Sequence, residues 1–310
     1  MAFIKEFGSW LPSRVVSSAE AGSWVGSDAT WVMNVSGIEE RRFASAEEKV
    51  SDMAARAGAD CLERAGMKPS ELGMVMVASG SAERTFPGPA CETAKKLGAE
   101  GVPAMDLPMA SAGSLFGLSL ASRLAAQLGP ILVIGAEKMS RIVAREPQER
   151  GVAVLFGDGA GACLITPDEG KAEIVDSVLG TDGTYCEDLT LENGAPLKMN
   201  GRSVILQASR KIPAAIRAVL EKYGINPPDV LAFLMHQANQ NLLDKVANTL
   251  GVPSERFFSN IRKYGNTSSA SLLIAACEWS RELGFEPGEP VVFAAFGAGF
   301  NWGAILARGV

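Results

Sequence analysis

Apolar positions along the chain follow two different spacings in turn, and this pattern predicts a mixed α/β protein. Runs with helical spacing, such as residues 50–64, alternate with short continuous apolar segments, such as residues 72–79 and 131–135, which are typical of buried strands. Several helical runs stop at a glycine, as at Gly66 and Gly98, where a left-handed residue commonly ends a helix. Helices that alternate with buried strands predict layers of helices packed on sheets.

The order of elements in the first part of the chain recurs in the second part. Each part contains a helix that ends in a Gly-to-Pro stop, a buried strand, a helix that ends at a glycine, a long helix, and a closing Phe-Gly-x-Gly segment. The closing segments begin at Phe156 and Phe296, and the first is predicted to run into a strand at residues 162–165. This many features in the same order predict an internal duplication, which we divide into residues 1–168 and 169–310.

A duplicated fold also predicts where a functional site lies. If the halves pack about a pseudo-twofold axis, the helix that begins near Ser111 is equivalent to the helix that begins near Asn266 and Thr267, and their N-termini converge. Two helix N-termini aimed at one place favour an anion or an oxyanion there, because both supply unpaired backbone N–H groups and the positive end of a dipole.

Composition narrows the class of protein. The 310 residues are 47% hydrophobic and 21% charged, which allows a large core in two halves. A net charge of −6 argues against a nucleic-acid binder. No apolar run reaches the ~18 residues that a membrane span needs, and the N-terminus lacks the apolar centre of a signal peptide. Five widely spaced cysteines without a C-x-x-C pair argue against a disulfide framework or a zinc site, so we expect a cytoplasmic protein.

Three polar residues stand where an α/β fold positions its chemistry. His236, the single histidine, directly follows the apolar strand 231–235, at the carboxyl end where such sheets bind ligands. Ser111 and Asn266 stand at the two helix starts described above. Each also has a simpler structural interpretation: His236 as a histidine satisfied in a loop, and Ser111, Asn266 or Thr267 as ordinary helix N-caps. On these residues alone, both interpretations stay open.

Five sequence segments together resemble the signatures of the β-ketoacyl-(acyl carrier protein) synthase III family. They are Gly135-Ala136-Glu137-Lys138-Met139-Ser140-Arg141, Gly157-Asp158-Gly159-Ala160-Gly161-Ala162, His236-Gln237-Ala238-Asn239, Gly265-Asn266-Thr267-Ser268-Ser269-Ala270-Ser271 and Phe296-Gly297-Ala298-Gly299-Phe300-Asn301-Trp302-Gly303. The resemblance covers nearly the whole chain and implies the thiolase fold, two duplicated halves in a five-layer αβαβα sandwich, assembled as a homodimer. It also implies an acyltransferase that takes an acyl group from coenzyme A onto a cysteine and condenses it with malonyl-acyl carrier protein after decarboxylation.

The resemblance assigns roles to individual residues of this chain. It implies that His236 and Asn266 donate hydrogen bonds to the malonyl thioester carbonyl and stabilise the enolate that decarboxylation produces. It implies that Gly297 and the backbone N–H of Ser111 form the oxyanion hole for acyl transfer; a tight turn is the simpler interpretation of Gly297. The remaining implied contacts are Trp31 and Arg150 beside the adenine of coenzyme A, and Phe86, which would cross the dimer interface and line the partner's acyl pocket.

The chain departs from the family's pattern at the nucleophile. Ser111 stands where the family has its catalytic cysteine. A thiol is partly ionised near neutral pH, whereas a hydroxyl needs a base to take its proton, and His236 is the residue available for that task. Three explanations stay open: a natural serine nucleophile in an acyltransferase-like branch, an engineered Cys→Ser change that stalls acylation, and a site that only decarboxylates or binds.

A second departure concerns the surface for the carrier protein. Asn241, Gln207 and Asn248 stand where the family commonly has basic residues, and Val35 replaces an arginine of the coenzyme A region. An acidic carrier protein needs a local basic patch. The acceptor therefore stays open between a carrier protein, coenzyme A and a small molecule.

We therefore expect a cytoplasmic, homodimeric enzyme that resembles β-ketoacyl-acyl carrier protein synthase III, in fatty-acid or polyketide biosynthesis. The expected substrates are acyl-coenzyme A and a malonyl thioester, with acyl carrier protein as one candidate carrier. We expect no metal and no resident cofactor. Two alternatives are an ester- or amide-forming acyltransferase that works through acyl-Ser111, and a non-catalytic partner subunit.

Overall fold

The computed structural model describes residues 1–310. Its strands are β1 (Phe3–Trp10), β2 (Arg14–Ser17), β3 (Glu40–Phe43), β4 (Met74–Ala78), β5 (Ala104–Leu107), β6 (Ile131–Lys138), β7 (Asp158–Thr166), β8 (Ala172–Thr181), β9 (Leu189–Thr190), β10 (Lys198–Met199), β11 (Ala232–Met235), β12 (Phe257–Phe258), β13 (Pro290–Gly297) and β14 (Asn301–Gly309). Its α-helices are α1 (Ser18–Trp24), α2 (Ala29–Ser36), α3 (Val50–Ala65), α4 (Pro89–Leu97), α5 (Gly113–Leu128), α6 (Arg150–Ala153), α7 (Gly201–Glu221), α8 (Gln240–Leu250), α9 (Ile261–Tyr264) and α10 (Ser271–Glu282). None of these helices has the length and apolar character that a membrane crossing requires.

Glycines end several helices where the sequence predicted a stop. Gly66, Gly98 and Gly251 directly follow α3, α4 and α8, with φ values between 66° and 75°. Each glycine donates its backbone N–H to a carbonyl of the last helical turn. Residues without a side chain adopt this left-handed conformation at little steric cost, so the predicted stops are confirmed.

The largest departures from the predicted bounds concern one helix and one strand. The sequence predicts a helix over residues 211–223, before the second Gly-to-Pro stop. In the structure this segment is the second half of α7, which begins ten residues earlier after an Asn200 side chain that accepts the backbone N–H of Ser203. The glycine-rich segment predicted to lead into a strand lies mostly within β7. A Cβ on Gly161 would lie 2.7 Å from the backbone nitrogen of Ile274 in α10. The glycines therefore allow a helix to approach the strand, which the prediction missed.

The main sheet has ten strands, in the order β12-β11-β13-β14-β8-β1-β7-β6-β4-β5. One half of the sheet comes from each part of the chain, and the two halves meet where β1 pairs with β8. Outward from this junction, β1-β7-β6-β4-β5 corresponds to β8-β14-β13-β11-β12. In each series the first two pairings are antiparallel and the last two are parallel. The duplication predicted from the sequence is therefore present in the topology.

Helices cover the sheet in three layers. Helices α3 and α4 pack on the outer face of the first half, and α7 and α8 pack on the outer face of the second. Helices α5 and α10 lie between the halves, where Leu118 and Leu273 join a core with strand residues of both halves, such as Val133 and Phe293. Because one pair of helices packs on both halves of the sheet, the architecture is the predicted five-layer αβαβα sandwich.

Candidate active site

Ser111 lies in a strained backbone conformation between β5 and α5. Its φ is +62°, a region that non-glycine residues seldom occupy outside tight functional turns. The helix begins at Gly113, and its N-cap position is Ala112, with no side-chain cap. The interpretation of Ser111 as an ordinary N-cap is therefore wrong. The strained turn instead leaves Ser111 8% exposed, at the edge of a cavity.

Gly297, the last residue of β13, touches this turn directly. A Cβ on Gly297 would lie 2.3 Å from the carbonyl oxygen of Ala110 and 3.0 Å from the Ser111 Cβ. Contacts this short leave room for glycine alone, so the sequence lets the end of a strand from the second half lie against the nucleophile position of the first. The predicted proximity of Ser111 and Gly297 is present.

A cavity of about 310 Å³ brings together most of the predicted site residues. Ser111, His236, Asn266, Gly297 and Trp31 all line it. Its walls are mostly apolar and come largely from α7 and the segment before β7: Leu155, Phe156, Val204, Ile205, Ala208, Ile212, Leu242 and Phe296. A larger open groove of about 730 Å³ lies elsewhere, along residues 79–89 and 191–196, and contains none of these polar residues. We assign the candidate active site to the smaller cavity.

His236 extends from the end of β11 and is 5% exposed. Its backbone N–H donates to the carbonyl of Ala294 on β13. This bond continues the parallel pairing of β11 and β13 and holds the backbone from which the imidazole extends. Its Nδ1 lies 2.5 Å from the Oγ of Ser271. Burial lowers the pKa of His236 to about 4, and a contact with the Ser268 carbonyl opposes that shift. The imidazole is therefore neutral at physiological pH.

Asn266 is held by the first half of the chain although it belongs to the second. Its backbone N–H donates to the carbonyl of Leu155 at 2.9 Å, and its carbonyl accepts the N–H of Gly157 at 3.0 Å. The side-chain Oδ1 accepts the backbone N–H of Ser268 at 2.8 Å. This leaves Nδ2, which makes one long contact of 3.4 Å with the Ala238 carbonyl, as the amide group available to a ligand in the cavity.

Ser268 is the nearest polar neighbour of Ser111. Its Oγ accepts the backbone N–H of Ser111 at 3.0 Å and lies 3.4 Å from the Ser111 Oγ. The N–H that the resemblance assigns to the oxyanion hole therefore has a protein partner, and a substrate oxygen would have to share or replace that partner. The sequence predicts helix capping and a family signature for the segment that contains Ser268, but neither predicts this contact.

Glu137, on β6, holds the same segment through contacts with Ser269. This fully buried carboxylate accepts the backbone N–H and the Oγ of Ser269, at 3.3 and 2.7 Å. It also accepts the N–H of Gly80 at 3.1 Å and the Oγ of Ser81 at 2.5 Å. A side chain of β6 thus ties the turn that carries the C-terminal site residues to the first half of the sheet. The motif around Glu137 was noticed in the sequence, but this role was not.

Part of the cavity wall comes from α2 and from the start of α8, through Trp31, Val35 and Asn239. The guanidinium of Arg150 stacks on the ring of Trp31, 4.2 Å from its centroid, so the two residues predicted to flank adenine are neighbours. Asn241, one departure from the family pattern, donates to the carbonyl of Val35, another departure, at 3.4 Å. Asn239 donates to the same carbonyl at 2.8 Å. The two departures therefore contact each other beside the cavity.

Phe86 does not belong to this cavity within the single chain. It is 84% exposed and lies on the loop before α4, beside the larger groove. Its predicted role depends on a second subunit and stays a prediction.

Comparisons with known proteins show the family to which this chain belongs. Residues 105–183 match the family 3-oxoacyl-[acyl-carrier-protein (ACP)] synthase III, and residues 220–308 match its C-terminal family. β-Ketoacyl-[acyl-carrier-protein] synthase III of Aquifex aeolicus is 36% identical over 97% of both chains. Its crystal structure superposes with a TM-score of 0.95 over 99% of this chain and 100% of that one. The priming β-ketosynthase of the R1128 polyketide pathway is 31% identical, with a TM-score of 0.90 over 100% and 96% of the two chains. The chain therefore belongs to the β-ketoacyl-[acyl-carrier-protein] synthase III family and has its thiolase fold.

Proposed function

We propose that this chain condenses an acyl group, delivered by acyl-coenzyme A, with a malonyl thioester. The observation that carries the proposal is that Ser111, His236 and Asn266 line one apolar cavity although 155 residues separate the first from the last. A hydroxyl, an imidazole and a carboxamide around one cavity supply a position for the acyl group and two donors for a developing negative charge.

In the first half-reaction, the Ser111 oxygen attacks the acyl thioester carbonyl. A C–O bond forms, the C–S bond breaks, and the hydroxyl proton leaves with the coenzyme A sulfur, so that free thiol and acyl-Ser111 result. The backbone at Gly297 lies against the nucleophile, where an N–H can meet the oxyanion once the substrate is bound.

In the second half-reaction, the malonyl thioester loses carbon dioxide. The C–C bond to the carboxylate breaks, and its electron pair forms an enolate whose oxygen accepts hydrogen bonds from His236 and Asn266. The enolate carbon then attacks the acyl carbonyl on Ser111. A new C–C bond forms, the C–O bond to Ser111 breaks, and the released alkoxide takes a proton from water. Apolar walls of the cavity exclude competing water during these steps.

Acyl transfer without carbon–carbon bond formation is the second candidate. It is favoured by the hydroxyl at position 111, because an acyl-serine can pass its acyl group to an alcohol or an amine and form an ester or an amide. This reaction would need no enolate, so it would leave the intact pair of donors at His236 and Asn266 without a role.

Labelled acyl-coenzyme A followed by peptide mass spectrometry tests the proposal. Label on Ser111 together with carbon dioxide release from malonyl-coenzyme A supports condensation, whereas label without carbon dioxide release supports the second candidate. Absence of both would leave a non-catalytic partner subunit. A Ser111→Cys variant that gains condensation over the parent would identify the hydroxyl as the step that limits acylation.

We also propose a cytoplasmic homodimer that needs no metal and no resident cofactor. The edge strand β5 and the exposed Phe86 beside it support a second copy on this face, since an unpaired strand edge next to an exposed aromatic side chain favours association. All five cysteines are unpaired, which suits a reducing compartment. Sedimentation of the parent and of a Phe86→Asp variant tests the assembly.

A further inference from the structure

The hydroxyl of Ser271 lies between two nitrogen atoms of the 236–237 segment. Its Oγ is 2.5 Å from the Nδ1 of His236 and 3.0 Å from the backbone nitrogen of Gln237. Ser271 is the first residue of α10 and is 2% exposed, so water does not compete for these contacts. Nothing in the mechanism above uses this residue.

The positions of the protons follow from counting donors and acceptors. The backbone N–H of Gln237 can only donate, so the Ser271 oxygen accepts there and keeps its own proton for another partner. The partner within reach is Nδ1 of His236, and a nitrogen that accepts a hydrogen bond carries no proton. The single proton of the neutral imidazole then resides on Nε2.

The opposite arrangement is less favourable. If Nδ1 carried the proton, the Ser271 oxygen would accept from both nitrogens, and its own buried O–H would have no hydrogen-bond acceptor. A buried donor without an acceptor is unfavourable enough to bias the two tautomers roughly fivefold or more. The Ser268 carbonyl, which accepts the backbone N–H of Ser271, also contacts the imidazole and favours its protonated form.

We propose that Ser271 is a positioning residue whose hydroxyl fixes His236 in the tautomer that carries its proton on Nε2, so that the imidazole serves the cavity as a hydrogen-bond donor. The catalytic consequence rests on the function proposed above, whereas the tautomer itself does not. In this state the imidazole has no free lone pair, so it stabilises the enolate oxygen and does not take the proton of Ser111.

The single histidine makes the tautomer directly measurable. Protein produced with ¹⁵N-labelled histidine and without a polyhistidine tag contains one labelled imidazole. At neutral pH we expect a pyrrole-type ¹⁵N shift at Nε2 and a pyridine-type shift at Nδ1. In Ser271→Ala both shifts should move toward intermediate values, since the second tautomer becomes populated. A proton on Nδ1 in the parent, or unchanged shifts in Ser271→Ala, would overturn the proposal.

Decarboxylation of malonyl-coenzyme A tests the catalytic consequence. In Ser271→Ala we expect kcat to fall about twofold, because about half of the imidazoles would then lack the proton on Nε2, with KM nearly unchanged. The matched control is Ser280→Ala, which removes a buried hydroxyl without a partner from the same helix and should leave kcat as it is. An equal loss in both variants would contradict a specific role for Ser271. An inactive parent would reject the proposed function, while the NMR result would still decide the tautomer.

Discussion

Ser111 and Ser268 occupy corresponding places in the two halves of the molecule and differ in what surrounds them. Each lies just before one of the two central helices, and they are the two non-glycine residues of the chain with positive φ, +62° and +48°. They also contact each other across the junction of the halves. The duplicated fold therefore repeats the strained turn itself, and not only the helices and strands around it.

The side chains that follow these serines separate the two turns. After Ser111 come Ala112, Gly113 and Ser114, and the Ser114 hydroxyl is buried without a partner. Around Ser268, every polar side chain from residue 266 to 271 except Thr267 makes a contact of its own. The Asn266 amide accepts a backbone N–H, and the hydroxyls of Ser268, Ser269 and Ser271 contact Ser111, Glu137 and His236, respectively. Under the proposed function, the first turn presents the nucleophile, and the second turn organises the groups that stabilise negative charge.

The largest expected effect separates these two tasks. Asn266→Ala removes one donor to the enolate oxygen and should lower decarboxylation of malonyl-coenzyme A by about 10²–10³-fold. Ser111→Ala should abolish acyl labelling and retain most of the decarboxylation, because its side chain does not contact the enolate. Carbon dioxide release measured on both variants checks this division; comparable losses in the two would mean that the turns do not divide the chemistry.

A second expectation concerns stability at low pH and tests whether the imidazole of His236 is buried in its neutral form. The pKa of His236 falls from an ordinary 6.5 to about 4 because of burial. Below pH 6.5 the unfolded chain binds a proton that the folded chain does not, so stability is highest above pH 6.5 and declines down to about pH 4. The slope is about 1.4 kcal/mol per pH unit, and the total is about 3 kcal/mol. Urea unfolding at pH 7 and pH 4.5 should show a larger loss of stability in the parent than in His236→Gln, because the other titrating groups contribute equally to both proteins. Parallel pH profiles would refute the buried neutral imidazole.

The sequence located the parts of this site and could not supply their connections. Helix stops at glycines and the strand before His236 depend on neighbouring residues, so local patterns predicted them. The conformation of Ser111 could not be predicted locally, because a serine before a helix is usually a cap, whereas Gly297 and Ser268, which pack against this turn, come from the other half of the chain. The contacts His236–Ser271 and Glu137–Ser269 join residues 35 and 132 positions apart, and no periodicity encodes such pairs. The family resemblance selected the residues to which it assigns substrate contacts and passed over the residues that hold them in place.

Glu137 offers a test of how the first half supports the polar turn of the second. Both carboxylate oxygens of Glu137 accept hydrogen bonds from N–H or O–H donors. In Glu137→Gln, the NH₂ group replaces one of these oxygens and would face a donor. One buried donor left without an acceptor should lower the free energy of unfolding by about 2 kcal/mol. Glu63→Gln, an exposed substitution of the same kind on α3, should change it by less than about 0.5 kcal/mol. Equal midpoints in urea for the two variants would show that the carboxylate is not needed to hold the turn.

The smallest expected effect compares the two strained serines directly. Glycine adopts positive φ freely, so Ser111→Gly should remove about 1–2 kcal/mol of backbone strain. This gain should exceed the loss of roughly 0.4–1 kcal/mol that arises because glycine increases the conformational entropy of the unfolded chain. The net result is a more stable protein by about 0.5–1 kcal/mol that cannot be acylated, as expected where strain is kept for function. Ser268→Gly gains the same relief but removes the acceptor of the Ser111 N–H, a loss of about 1–3 kcal/mol, so it should be less stable than the parent. Urea unfolding of both variants gives the order, and a Ser111→Gly protein less stable than Ser268→Gly would mean that strain at the first turn is relieved by contacts other than those of Ser268.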